Sequence, residues 1–169
     1  MRPIQAQICK FKIETNMSEL DRFSVAILKE LVKDGRASHV ELSQKIGLSP
    51  TACARRQKAL EQDGVITGYQ AILGDKALGL GVHVIVRITL DSQSEDVLRS
   101  FEQAIERCPS VVRCFLMSGP DDYLVTVAAR DIEDYEHIHK SQLSRLPHVF
   151  RIQSSFALRQ VIDRPALPV

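Results

Sequence analysis

The sequence predicts an α+β chain in two parts, an N-terminal winged helix-turn-helix followed by a C-terminal ferredoxin-like β-α-β-β-α-β domain. Three observations predict it. Ile46 to Gly64 reads as a tight turn feeding a short, basic, well-started helix. Val82, Val84, Val86, Ile88 and Leu90 alternate strictly, the period of a strand with one apolar face. Beyond that strand, helical and extended runs follow in an order that lays two helices on one face of a sheet.

Residues 1–16 carry no periodic pattern, and a folded domain begins after Met17, so the start of the chain is expected to be dispensable or never translated. The first helix is expected from about Ser24 to Val32, with Ile27, Leu28 and Leu31 as its apolar stripe and Asp34-Gly35 as its end. Ser38 and Glu41 form a capping box, the serine bonding forward and the glutamate reaching back. That box starts a second short helix, expected to turn Val40, Leu42 and Ile46 inward. Gly47 closes it, because glycine takes a positive φ without steric cost. Ser49 is then a natural N-cap and Pro50 a natural first helical residue, since that position needs no amide donor. At about 100° per residue, Cys53 and Leu60 share one face with Arg56 and Gln57 on its flanks, while Thr51, Arg55, Lys58 and Gln62 lie opposite. Val65 to Leu73 reads as extended chain, a wing or a strand leading out.

A glycine-rich connector with a short turn over Asp75–Leu78 leads to the alternating strand. Ser92 to Glu95 reads as a second capping box, opening a helix with Val97, Phe101 and Ile105 inside and Pro109 beyond its end. Val111 to Met117 is a second strand, Ser118 to Asp122 a turn, and Tyr123 to Ala129 a third strand. Asp131 caps a helix carrying Tyr135, Ile138 and Leu143, Pro147 ends it, and Phe150 to Leu158 is the last strand. Ile85 and further apolar positions on the second and third strands face away from both helices. A partner must cover that face, and a homodimer through the sheets is the economical arrangement. The expected divisions are an extension over 1–19, the helix-turn-helix over 20–73, a linker over 74–81, the ferredoxin-like domain over 82–162 and a tail over 163–169.

Composition narrows the function. The 169 residues suffice for one large or two small domains, and 44% hydrophobic with 25% charged residues is ordinary for a globular protein. A net charge of +1 excludes capture of a polyanion by the molecule as a whole, so any nucleic-acid contact must come from a local patch. No apolar run approaches the ~18 residues of a membrane span, and no secretory h-region opens the chain. Cys9, Cys53, Cys108 and Cys114 show no CxxC pairing, which points to reduced thiols in a cytosolic protein. His137 and His139 are two apart on an expected helix and cannot chelate together, so neither metal nor cofactor is expected. No nucleophile–base pair or phosphate loop suggests an enzyme.

The Ser49 helix carries the functional reading. A thin apolar seam behind a polar, cationic front suits a helix that packs by its back and reads double-stranded DNA by its front. Ser49, Pro50, Thr51, Arg55, Arg56 and Lys58 are the candidate DNA-binding residues, with Arg56 close enough to the packed edge to brace the motif instead. Two other readings compete: an ordinary amphipathic surface helix, and a docking helix on an amino-acid-sensing metabolic protein. Three cations on a well-capped stretch favour phosphate and guanine contacts over docking.

These residues resemble the Lrp/AsnC family of prokaryotic transcription regulators, the feast/famine regulators. Leu20-Asp21-Arg22, Ile27-Leu28, Asp34-Gly35-Arg36 and Val40-Glu41-Leu42-Ser43 are similar to its opening helices. Gly47 to Thr51, Cys53, Arg56, Leu60-Glu61 and Gly64 to Tyr69 are similar to its recognition helix and exit strand. Gly119, Asp122-Tyr123-Leu124 and Leu146-Pro147 resemble its effector-binding and oligomerisation domain, and the likeness runs from Leu20 to Ile162. Three positions depart from the pattern: Ser24 replaces an aspartate as a possible helix cap, Gln57 replaces a buried valine, and Gly119-Pro120-Asp121-Asp122 replaces a Gly-acid-aromatic-Asp loop. Gln57 would either shift the helix or reach the DNA.

The resemblance implies sequence-specific regulation of transcription in the cytoplasm, at the nucleoid, controlling amino-acid metabolism or transport. It also implies a homodimer, assembling in some members to an octamer, and a small amino-acid effector. Such an effector needs an acid, backbone donors and a partly dry wall. Gly119, Asp121, Asp122 and Tyr123 are the candidates, with Ser154 and Ser155 completing the site from the same or a neighbouring subunit. The alternative is a plain β-turn with Asp122 capping its own backbone. The run Ser154 to Leu158 is similar to a branch associated with cysteine response.

Overall fold

The computed structural model describes residues 20–163, so the expected extension over 1–19 and all but the first residue of the expected tail lie outside the described residues. The described chain forms two compact units, over 20–71 and 72–163. The first is built from α1 (Arg22–Lys33), α2 (His39–Ile46) and α3 (Pro50–Gln62). Ile27, Leu28, Leu31, Leu42, Cys53 and Leu60 make its core, with Ile46, Leu48 and Ile66 packed against them. Removing each such leucine from water is worth roughly 1.5–3 kcal/mol.

Chain chemistry explains the ends of these helices. Ser38 and Glu41 form both bonds of their capping box, Gly47 takes a φ of 78°, and Ser49 accepts from the Ala52 amide. α1 starts earlier than expected. Asp21 accepts from the Ser24 amide at 2.8 Å and is the cap, so Ser24 lies inside the first turn. Val40 is 55% exposed and not inward-facing. It stands two residues from buried Leu42, about 200° around the helix. Residues 65–73 form no strand; the Ile66 amide donates to the Leu60 carbonyl and turns the chain back onto α3.

The second unit opens with a 3-10 turn over Asp75–Leu78. It continues as β1 (Val82–Leu90), α4 (Glu95–Ile105), β2 (Val111–Leu116), β3 (Tyr123–Ala129), α5 (Ile132–Ser141) and β4 (Val149–Ala157). The sheet runs β2-β3-β1-β4, and every neighbouring pair is antiparallel. Val84, Val86 and Ile88 pair with Val127, Val125 and Tyr123, and together they face Phe101 and Ile105 of α4 and Tyr135 and Ile138 of α5. Leu143 is buried as expected, but in a 3-10 turn after α5. Gly81 is required where β1 begins, because a Cβ there would stand 2.9 Å from the Arg130 carbonyl oxygen.

The second capping box does not form. Ser94 sits at the N-cap without a side-chain bond, and Ser92 Oγ accepts instead from the Ser94 amide at 3.3 Å. The loop between them is held elsewhere, since Gln93 Nε2 donates to Asp122 Oδ1 at 2.7 Å. The side of the sheet away from the helices carries Ile85, Leu124 and Phe115, interspersed with Arg87, Thr126, Arg113 and Gln153. It is a mixed face, and β2, the edge strand, is exposed in the single chain at every position but Val111.

Candidate nucleic-acid interface and effector loop

Ser49 at the N-cap and Pro50, Thr51, Arg55 and Lys58 on α3 are all exposed, the last three opposite buried Cys53 and Leu60. Ser49 also caps the helix, so its hydroxyl oxygen already accepts one bond. Thr51, Arg55 and Lys58 recur at helical spacing along one front, with two cations and a hydroxyl to offer phosphates and base edges.

Arg56 is different. Its Nη1 pairs with Asp21 Oδ2 at 2.6 Å and lies 3.4 Å from Ser24 Oγ, and its guanidinium carbon sits 5.4 Å from the Phe23 ring centroid. The Asp21 carboxyl is held below the usual carboxylate range, first by the Ser24 amide and further by Arg56. Arg56 therefore braces α3 against the start of α1. Gln57 also points away from the front: its Nε2 donates to the Tyr69 hydroxyl at 2.7 Å. Spacing alone left both options open for each residue, because both lie at the boundary of the packed stripe.

The second unit divides the effector candidates between two sides of the sheet. Asp122 is 5% exposed; its Oδ2 accepts from the Leu90 amide and its Oδ1 from Gln93, both at 2.7 Å. It caps the end of β1, not its own backbone. Asp121 turns to the open face, with Oδ1 3.4 Å from both Thr89 Oγ1 and Arg151 Nη2 and Oδ2 3.9 Å from Arg87 Nε. Gly119 is exposed at the turn. Tyr123 points inward, stacked at 4.4 Å on Phe101 and donating to Glu102 Oε1 at 2.8 Å. Burial, and then the Glu102 carboxylate, push its hydroxyl pKa up.

Ser154 pairs with Val86 and meets the Tyr135 hydroxyl at 2.5 Å on the helix side. Ser155 pairs with Ile85 and faces the open side. Both serines stand roughly 10 Å along the strands from the loop, which is tied to Ile88 and Leu90. One chain therefore does not assemble loop and serines into a single site. Arg87, Thr89 and Arg151, which sequence reasoning missed, converge on Asp121 through strand register, and no local motif announces them. Two hollows, of about 280 and 410 Å³, lie instead around Arg130 and Asp134. Among the described residues no three His, Cys, Asp or Glu side chains group to hold a metal ion.

Comparison with known proteins agrees with this architecture. Residues 20–67 match the winged helix-turn-helix DNA-binding model, and residues 83–167 match the Lrp/AsnC ligand binding domain. The chain is 40% identical over 153 residues to the Bkd operon transcriptional regulator of Pseudomonas aeruginosa, covering 90% of this chain and all of that one. It is 39% identical over 143 residues to the leucine-responsive regulatory protein of Escherichia coli, covering 85% and 87% of the two. Among solved structures, a transcriptional regulator from Neisseria meningitidis in complex with L-methionine superposes with a TM-score of 0.83 at 32% identity, covering 88% and 96% of the two chains. These relatives are regulators, and the DNA-binding match over 20–67 removes the docking-helix alternative. The chain belongs to the Lrp/AsnC family of DNA-binding transcriptional regulators.

Proposed function

We propose that the chain reads its operators through Thr51, Arg55 and Lys58. Ser49 and Pro50 set the start of the reading helix, and Arg56 locks that helix to α1. The observation that carries this reading is the exposed front of α3, opposite a face sealed by Cys53 and Leu60. Residues 20–73 act as the DNA-binding domain, 74–81 as a linker, and 82–162 as the sensing and assembly domain. Two copies pair through the open sheet face, where Ile85, Leu124 and Phe115 offer apolar contact, and dimers assemble further to an octamer. The protein works in the cytoplasm, at the nucleoid, on genes of amino-acid metabolism or transport.

The proposed effector is a small amino acid at the Gly119–Asp122 loop. The Neisseria regulator's L-methionine supports that ligand class. Asp121 and the exposed amides near Gly119 supply the polar contacts, while Asp122 and Tyr123 hold the loop in shape. Ser155, on the open face, contributes only from a neighbouring subunit, while Ser154 bonds Tyr135 on the helix side.

Operators obtained by chromatin immunoprecipitation with sequencing allow the DNA face to be tested by gel-shift titration against scrambled duplex. Arg55→Ala and Thr51→Ala should each weaken operator binding, by about 1–3 kcal/mol where the side chain reads a base edge. Where it holds a phosphate, the substitution would instead lower affinity on all sequences and flatten the salt slope. Unchanged operator affinity in both variants overturns the assignment of this face.

A further inference from the structure

Three side chains that the DNA-reading front does not use tie the chain leaving α3 back onto that helix. Gln57 Nε2 donates to the Tyr69 hydroxyl at 2.7 Å, and Tyr69 donates to Glu61 Oε1 at 2.8 Å. Gln57 and Glu61 stand one turn apart on α3, with a longer contact of 3.4 Å between them. The Tyr69 ring also rests on the turn between α1 and α2, where a Cβ built on Gly35 would stand 3.6 Å from it. One side chain bonds the reading helix and lies beside the turn before α2.

Chemistry fixes the direction of this chain of bonds. A carboxylate only accepts, so the Tyr69 hydroxyl donates to Glu61 and must accept from the Gln57 amide. Gln57 Oε1 is then left buried without a hydrogen-bond partner among the described residues. An orphaned buried acceptor costs stability, and an aliphatic side chain of similar size would remove the cost. A local rule broken in an otherwise consistent motif points to a use outside folding. The use lies in residues 65–73, which pair with no strand among the described residues of the single chain. Ile66 anchors their start, by its amide bond to Leu60 and its packing on the helical core, and Tyr69 is the next anchor along them.

We propose that Gln57, Glu61 and Tyr69 form a positioning clamp that fixes how the chain leaves the DNA-binding unit, and so sets the half-site spacing a dimer accepts on DNA. The clamp rests on the dimer reading given above. A stiff exit delivers the second reading helix at one separation, so its effective concentration is high at one spacing and low at others. A loose exit spreads that concentration over several spacings. Gln57 is a positioning residue here and not a DNA contact.

The test uses the full chain as wild type, Gln57→Leu and Tyr69→Phe. Sedimentation gives the oligomeric state, and thermal melting gives stability. Anisotropy titrations then compare a single half-site, two half-sites at the spacing selected from random duplexes, and two half-sites with about 5 bp, half a helical turn, inserted. Wild type should prefer the selected spacing by about tenfold or more. Both variants should fall below about threefold with single half-site affinity unchanged, and Gln57→Leu should melt no lower than wild type. A merely structural role gives the opposite pattern, in which affinity falls alike on every duplex, the spacing preference survives and Gln57→Leu melts lower. That pattern overturns the clamp. A monomeric wild type, or one indifferent to spacing, overturns the dimer reading and the clamp with it, and is recognised before any variant is compared.

Discussion

Asp122 is buried where the Gly119–Asp122 loop meets the end of β1, and both of its oxygens are occupied, by the Leu90 amide and by Gln93. Its removal leaves a buried backbone donor without a partner and frees the loop before α4. Asp122→Ala should therefore destabilise the protein by roughly 1–3 kcal/mol, and Asp122→Asn, which keeps one acceptor, by less. Thermal denaturation of the three proteins measures this, and equal melting of Asp122→Ala and wild type would contradict the anchoring role. An effector titration on Asp122→Ala is interpretable only beside that melt, because loop collapse and removal of a ligand partner both abolish binding. Ser154 and Ser155 carry a second lesson at this scale. Adjacent residues on a strand point to opposite faces, so the two could never have lined one wall of one chain's site. That was legible in the sequence. The convergence of Arg87, Thr89 and Arg151 on Asp121 was not, because it depends on which strands pair and in what register.

Helix ends show how far local chemistry reaches. Ser38 with Glu41, and Ser49 with Pro50, were fully readable, since every partner lies within three residues. Ser24 was the cap expected for α1, and Asp21, three residues earlier, is the cap instead. The box expected at Ser92 does not form: α4 starts after Ser94, and Gln93 is engaged by Asp122, 29 residues away, which no local pattern reveals. Between helices, Glu30 of α1 pairs with Lys33 at 2.6 Å and with Lys45 of α2 at 2.9 Å. Those two ammonium groups hold its carboxyl down to about 2, from an ordinary value of 4.5. A depressed carboxylate stabilises the fold fully above its unfolded pKa, and the contribution is lost as pH falls through the folded value. Stability of the helical unit should accordingly decline between about pH 4.5 and pH 2, and Glu30→Gln should flatten that decline. Chemical denaturation across this window, followed by far-ultraviolet circular dichroism, reads it directly. Identical pH profiles for wild type and Glu30→Gln would remove the ion-pair account.

For the whole molecule, fold class was readable because two periods stand side by side in one chain, about 3.6 residues in the first unit and 2 in β1. The second strand is apolar but for Arg113, and in the single chain it forms the sheet's edge, which a sequence without register does not reveal. No helix among the described residues is long and apolar enough to cross a membrane. The central claim is that one unit reads DNA and the other makes that reading depend on an amino acid. Fluorescence anisotropy on full-length protein tests both halves together, with labelled operator and scrambled duplex titrated in the presence and absence of L-methionine, L-leucine and L-cysteine. The account predicts operator binding at least ~10³-fold tighter than scrambled duplex at physiological salt. It also predicts a shift of about 5- to 150-fold in operator affinity with at least one of the three amino acids. Equal affinity for operator and scrambled duplex would contradict the reading helix, and specific binding unmoved by all three amino acids would contradict the effector loop.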